Sequence, residues 1–96
     1  MSVFIIGHIK ILNEAKYRIY EAQLPEILHR FGARVLAVDP SPRVLEGHWP
    51  FDEVVLIEFY DTNHAKQTLT DPTYLNILQE RIEGAEVVGL LVQGMQ

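Results

Sequence analysis

The sequence predicts an α+β domain in the element order βαββαβ, and three observations predict it. Four apolar, β-branched runs, at residues 3–11, 33–38, 53–60 and 86–94, have the composition of strands. Two longer segments between them, 14–31 and 62–82, carry apolar residues at three- and four-residue steps, the period of a helix. Cap and turn residues punctuate the joins, so each run starts and stops where local chemistry tells it to.

In chain order, "VFIIGHIKI" (3–11) is the first strand. Asn13 offers a helix N-cap, with Glu14 in the first turn. The helix that follows places Tyr17, Tyr20, Leu24, Leu28 and Phe31 on one stripe, and Gly32 ends it. Pro25 lies inside that stripe. It has no N–H to give to Glu21 and its ring crowds that carbonyl, so a kink or a helix in two pieces is expected. "ARVLAV" (33–38) is the second strand and "DPSP" a turn. "RVLEG" (43–47) is expected to return as a short strand, with "HWPFD" a loop. "EVVLIEFY" (53–60) is the third main strand. Asp61 or Thr62 caps a short helix through about Leu69, and Asp71 with Pro72 starts a second helix that ends near Gly84. "EVVGLLVQG" (86–94) closes the chain. This order and length fit a single ferredoxin-like domain over residues 1–96.

Composition bounds the function. A formal charge of −5 without a Lys/Arg cluster argues against nucleic-acid binding, where phosphate contacts supply most of the affinity. The absence of Cys excludes disulfides, thiolate metal sites and a Cys nucleophile. The apolar start is short and holds His8 and Lys10, so neither a signal peptide nor a membrane span is expected, and a cytoplasmic location follows. No Gly-rich phosphate loop follows a strand, so no cofactor is expected. His29, His48 and His64 show no metal-ligand spacing, and no metal is expected.

Alternation along the strands exposes a burial problem. Val55, Ile57 and Phe59 share one face of the third strand, while Val54, Leu56, Glu58 and Tyr60 share the other. In the first strand, Val3, Ile5, Gly7, Ile9 and Ile11 oppose Phe4, Ile6, His8 and Lys10. Both faces are largely apolar, yet two helical segments cover only one. A second copy of the chain, packed sheet to sheet, is the simplest cover.

His8, Arg34 and Glu58 are the polar groups embedded in these apolar strands. Two readings stand. Arg34 and Glu58 form an ion pair that solves its own burial problem. Alternatively, the three converge in an apolar pocket as a catalytic set, with His8 or Glu58 carrying a proton and Arg34 binding an anionic oxygen. Tyr17 and Tyr74 are core aromatics or ligand-binding hydroxyls, and Trp49 plugs the sheet end or walls a pocket.

"NEAKYRIY", "PEILHRFGAR", "VLEGHW", "VVLIEF" and "DPTY", in this order and spacing over nearly the full length, resemble the small bacterial family called domain of unknown function 1330. That family resembles the dimeric α+β barrels, a group that includes cofactor-free monooxygenases, muconolactone-type isomerases and haem-degrading enzymes. The resemblance implies a fold, a homodimer and a pocket, with Tyr17, Arg34, Glu46, Trp49, Glu58 and Tyr74 as positions of interest. "DPTY" replaces the commoner "SPEY", so Thr73 stands where the family carries an acid. Asn13, Trp49 and His64 match the residue types of the haem-degrading relatives but fall at a cap and in a loop instead of facing each other across strands. The functions in view are a cofactor-free enzyme on a small apolar or aromatic carbonyl compound, a non-catalytic homodimeric module binding a small ligand or a protein, and an assembly subunit.

Overall fold

A computed structural model describes residues 2–95. The elements are β1 (Val3–Ile11), α1 (Glu14–Arg30), β2 (Arg34–Asp39), β3 (Glu53–Phe59), α2 (Thr62–Thr70), α3 (Pro72–Gly84) and β4 (Ala85–Gln93). The strands form one antiparallel sheet in the order β2-β3-β1-β4, the ferredoxin-like arrangement the element order predicts.

Local chemistry explains where the helices begin. Asn13 Oδ1 accepts from Lys16 N at 3.2 Å, Asp61 Oδ1 from His64 N at 2.8 Å and Asp71 Oδ2 from Thr73 N at 2.9 Å. Pro72 occupies the first turn of α3, where its missing N–H costs nothing. After α1, Gly32 takes φ = +71°, and Ala33 N returns to the Leu28 carbonyl at 3.0 Å.

Two expectations need correction. "RVLEG" forms no strand; the chain runs as loop from Pro40 to Asp52. Trp49 anchors this loop by donating to His8, and Asp52 N donates to the Ile9 carbonyl at 2.8 Å, so it is tied to the end of β1 without a ladder. The first helix is not split at Pro25 either, since α1 is continuous from Glu14 to Arg30. Pro25 is exposed and lies within the continuous helix, where it makes no bond to the Glu21 carbonyl.

The helices pack on one sheet face. Tyr17, Tyr20, Leu24, Ile27 and Leu28 of α1 and Tyr74 and Ile77 of α3 bury against Val3, Ile9, Val55, Ile57 and Phe59. A β-bulge between Val35 and Ala37 changes the parity of β2: Val35 pairs with Ile57, while Val38 pairs with Val55. Val38 therefore joins Val35 on the helix side, instead of sharing Arg34's face as simple alternation predicts. Among the described residues no helix covers the opposite face, where Leu90 and Val88 of β4 stand about half exposed beside Ile6 and His8 of β1. Among the described residues no helix is long and apolar enough to cross a membrane.

Candidate functional site

The sheet register separates His8 from the other two polar strand residues. Arg34 lies opposite Glu58 across β2 and β3, and Arg34 Nε donates to Glu58 Oε1 at 2.7 Å. His8 pairs with Val54, while Glu58 pairs with Phe4, four residues further along β1. At roughly 3.3 Å per residue that is about 13 Å, so the three do not converge. His8 Nδ1 instead accepts from Trp49 Nε1 at 2.9 Å, with Phe51 against its ring. Glu58 does not point into an enclosed site: it borders an open hollow with Ser2, Gly32 and Tyr60, and the Arg34 side chain is 72 % exposed. Hydrogen bonds from Arg34, and then Ser2, hold the Glu58 carboxyl below its usual range. Glu46 and Trp49 line a separate shallow hollow in the loop before β3.

An apolar cavity lies on the other face, between sheet and helices. An inner chamber of about 100 Å³ is walled by Ile5, Ile9, Ile57 and Phe59 below and by Tyr17, Tyr20, Tyr74 and Arg81 above. Gly7 and Gly89 sit directly opposite each other on β1 and β4, and both line it. A Cβ at Gly89 would meet nothing within 4 Å, and one at Gly7 only ordinary contacts near 3.9 Å, so this cross-strand pair leaves the space open. Tyr20 and Tyr74 hydroxyls meet at 3.1 Å. Burial raises the pKa of Tyr17 and Tyr20, so both stay protonated donors across neutral pH. Arg81 lines the chamber, and its buried Nε has no hydrogen-bond partner among the described residues.

An outer cleft of about 350 Å³ shares Tyr17, Leu24, Leu28 and Val55 with this chamber and opens between α1 and β2. Glu21, Pro25, His29, Arg34, Val35 and Val38 complete its wall. Of the residues singled out in the sequence, Tyr17 and Tyr74 thus border the chamber and Arg34 the cleft, whereas His8, Trp49 and Glu58 border neither.

Beside the cleft sits a charge cluster that sequence reasoning missed. Glu53, the first residue of β3, is 1 % exposed. Arg18 Nη1 donates to Glu53 Oε1 and to Glu21 Oε1, each at 3.0 Å. The Arg18 guanidinium also lies 5.6 Å from the centre of the Tyr17 ring, a cation–π contact. Glu21 Oε2 and Glu53 Oε2 are both buried without a partner among the described residues. The Glu21 pKa is pushed up to about 7, first by burial and then by the neighbouring Glu53 carboxyl; Arg18 opposes the rise. A signal for Glu53 was present in the sequence, since parity puts it on the face of Val55, Ile57 and Phe59. Its place at a strand start, after a charged turn, disguised it as a solvated residue.

Known structures share this architecture. A protein of unknown function from Rhodopseudomonas palustris superposes with a TM-score of 0.76 at 14 % identity, covering 93 % of this chain and 80 % of that one. SnoaB, a cofactor-independent oxygenase from Streptomyces nogalater, gives 0.72 at 13 % identity, covering 99 % and 94 %. A dabb family protein with a ferredoxin-like fold from Mesorhizobium loti gives 0.69 at 10 % identity, covering 99 % and 98 %. At these identities the likeness shows the fold alone. No curated protein matches the chain in sequence. The family described as Domain of unknown function (DUF1330) matches residues 2–95, and the chain belongs to it.

Proposed function

We propose that the protein binds a small apolar or aromatic carbonyl compound between its sheet and helices and acts on it without a cofactor, by proton transfer or oxygen addition. The observation that carries this reading is the apolar chamber with one cationic donor, Arg81 Nε, left unpaired in its wall. An orphan buried donor costs roughly 1–3 kcal/mol, a cost that a ligand oxygen would relieve. Size sets the ligand's position. An apolar cavity of about 150 Å³ takes up benzene. The inner chamber, about 100 Å³, therefore suits a carbonyl group, a short substituent or dioxygen, and an aromatic ring belongs in the outer cleft. The cofactor-independent oxygenase of the same fold shows that this architecture can host such chemistry, and is analogy only.

Gly89→Val tests the proposal. Gly89 lines the chamber from the exposed edge strand β4, and the new side chain stands at the chamber's open side without a clash. Saturation-transfer NMR with benzaldehyde should show binding to the wild type and at least a tenfold loss in G89V, with an unchanged or raised denaturation midpoint. Equal binding by both proteins would remove the chamber from the reading.

A second reading has its own support. The uncovered sheet face, with Val88, Leu90 and Leu36 each more than 40 % exposed, favours a non-catalytic homodimeric module whose copies pack sheet to sheet.

A further inference from the structure

Glu53 has no role in the reading above, and its environment is unusual. A carboxylate that is 1 % exposed must be neutralised or fully hydrogen-bonded, yet only one of its oxygens has a partner among the described residues. Glu21, bound by the same Arg18 nitrogen, has the same half-satisfied pattern. One Arg18 nitrogen serves both acids, while its other terminal nitrogen reaches the exposed Glu14 at 3.5 Å, so the buried part of the cluster holds two carboxyl groups against one guanidinium. A single proton shared between the two orphan oxygens would satisfy both and leave Glu21, Glu53 and Arg18 together with no net charge.

We propose that Glu21 and Glu53 form a one-proton carboxylate pair, and that Glu21 is the proton-transfer residue for an enolisable carbonyl compound in the outer cleft. This rests on the ligand reading above. Glu21 lines the cleft with its side chain 29 % exposed, so it is the member that meets the ligand. Glu53, sealed below, holds the shared proton while Glu21 acts as base, so the pair goes from one negative charge to none as Glu21 takes the substrate proton and the enolate carries that charge. In the step itself Glu21 accepts the proton from the carbon next to the carbonyl, and the C–H electron pair moves into the carbon–carbon bond as the carbonyl becomes an enolate. The reverse transfer returns a proton to carbon or oxygen. No oxidant is needed.

The groups around the pair are consistent with this. From α1 come Arg18, Tyr17, His29 and, on the far side of Arg18, Glu14; from β3 comes Glu53, from β2 Arg34 and from α3 Arg81. The raised Glu21 pKa of about 7 matches a base working near neutrality.

Two measurements test the proposal. Dicyclohexylcarbodiimide adds to protonated carboxyl groups, so ligand-free protein should be labelled on Glu21 at about pH 6 and hardly at about pH 8.5 if its pKa lies near neutrality. Peptide mass mapping locates the label. In E53Q, which removes the neighbouring charge, labelling at the lower pH should fall several-fold as the Glu21 titration moves down. Absence of label on Glu21, or labelling indifferent to E53Q, overturns the pair. In heavy water, wild-type protein should exchange the methyl hydrogens of acetophenone faster than buffer. E21Q should lose at least tenfold of that rate, and E53Q should shift its pH profile downward. No exchange above buffer, or full exchange by E21Q, overturns the proton-transfer role. The labelling needs no ligand and the G89V comparison needs no proton transfer, so failure of either idea is seen separately.

Discussion

At the scale of single residues, two glutamates five positions apart on β3 behave oppositely. Glu58 faces away from the helices and pairs with an exposed Arg34. Exposed ion pairs contribute little, because solvent screens them and two long side chains must be held still. Glu58→Gln should therefore leave the urea midpoint of the protein essentially unchanged. A large drop would mean that a partner surface buries the pair. Glu53 and Glu21, by contrast, set a pH dependence. The Glu21 pKa rises from 4.5 to about 7 on folding, so its protonated form favours the folded state. That contribution is complete below about pH 4.5 and is lost as pH rises through about 7. Stability measured from about pH 5 to about pH 8 should fall in the wild type, and E21Q, which cannot ionise, should flatten that fall. A profile identical in both proteins would show that Glu21 titrates normally.

At the scale of elements, the site depends on how closely α1 and α3 approach. Gly84 ends α3, and its carbonyl accepts from Leu12 N at 2.8 Å and Asn13 N at 2.9 Å, which fixes the entry of α1. A Cβ at Gly84 would stand 2.6 Å from Tyr17 N and 2.9 Å from its Cα. Backbone cannot swing aside as a side chain can, so Gly84→Ala should push the start of α1 outward. A loss of about 1–3 kcal/mol is expected from urea denaturation, in the usual range for overpacking. Because Tyr17 walls both chamber and cleft, ligand binding should weaken too, whereas Gly89→Ala, which meets open space, should cost neither. Lys16 and Glu83, paired at the same helix junction, are exposed and add little to it.

At the scale of the whole molecule, the uncovered sheet face remains the strongest argument for association. Each large aliphatic side chain taken from exposed to buried contributes roughly 1.5–3 kcal/mol, so several along β4, β1 and β2 suffice for a dimer against the entropy of association. Sedimentation at micromolar concentration should give twice the chain mass, and Leu90→Lys, on the edge strand of that face, should return it to one. A wild-type monomer at that concentration would remove the sheet-to-sheet arrangement.

The elements, their order and their caps were determined by the sequence itself, because they depend on contacts within a few residues. Asn13, Asp61 and Asp71 cap the helices whose starts they announce, and Gly32 takes the positive φ that ends α1. The faces of β3 were legible too: alternation puts Glu53 with Val55, Ile57 and Phe59, and Glu58 with Val54 and Leu56. Only the tertiary structure decided which face the helices cover. With both faces apolar, the pattern holds no preference, and the choice is made by long-range packing of Tyr17, Leu24, Leu28 and Tyr74. The same lack of local information hid the bulge that turns Val38 toward the cleft and the register that parts His8 from Glu58. Strand pairing is set by partners far away in the chain, so the sealed acid is Glu53 while Glu58 stays partly exposed beside an exposed Arg34, a distinction that exists only once the sheet has formed and one side of it is closed.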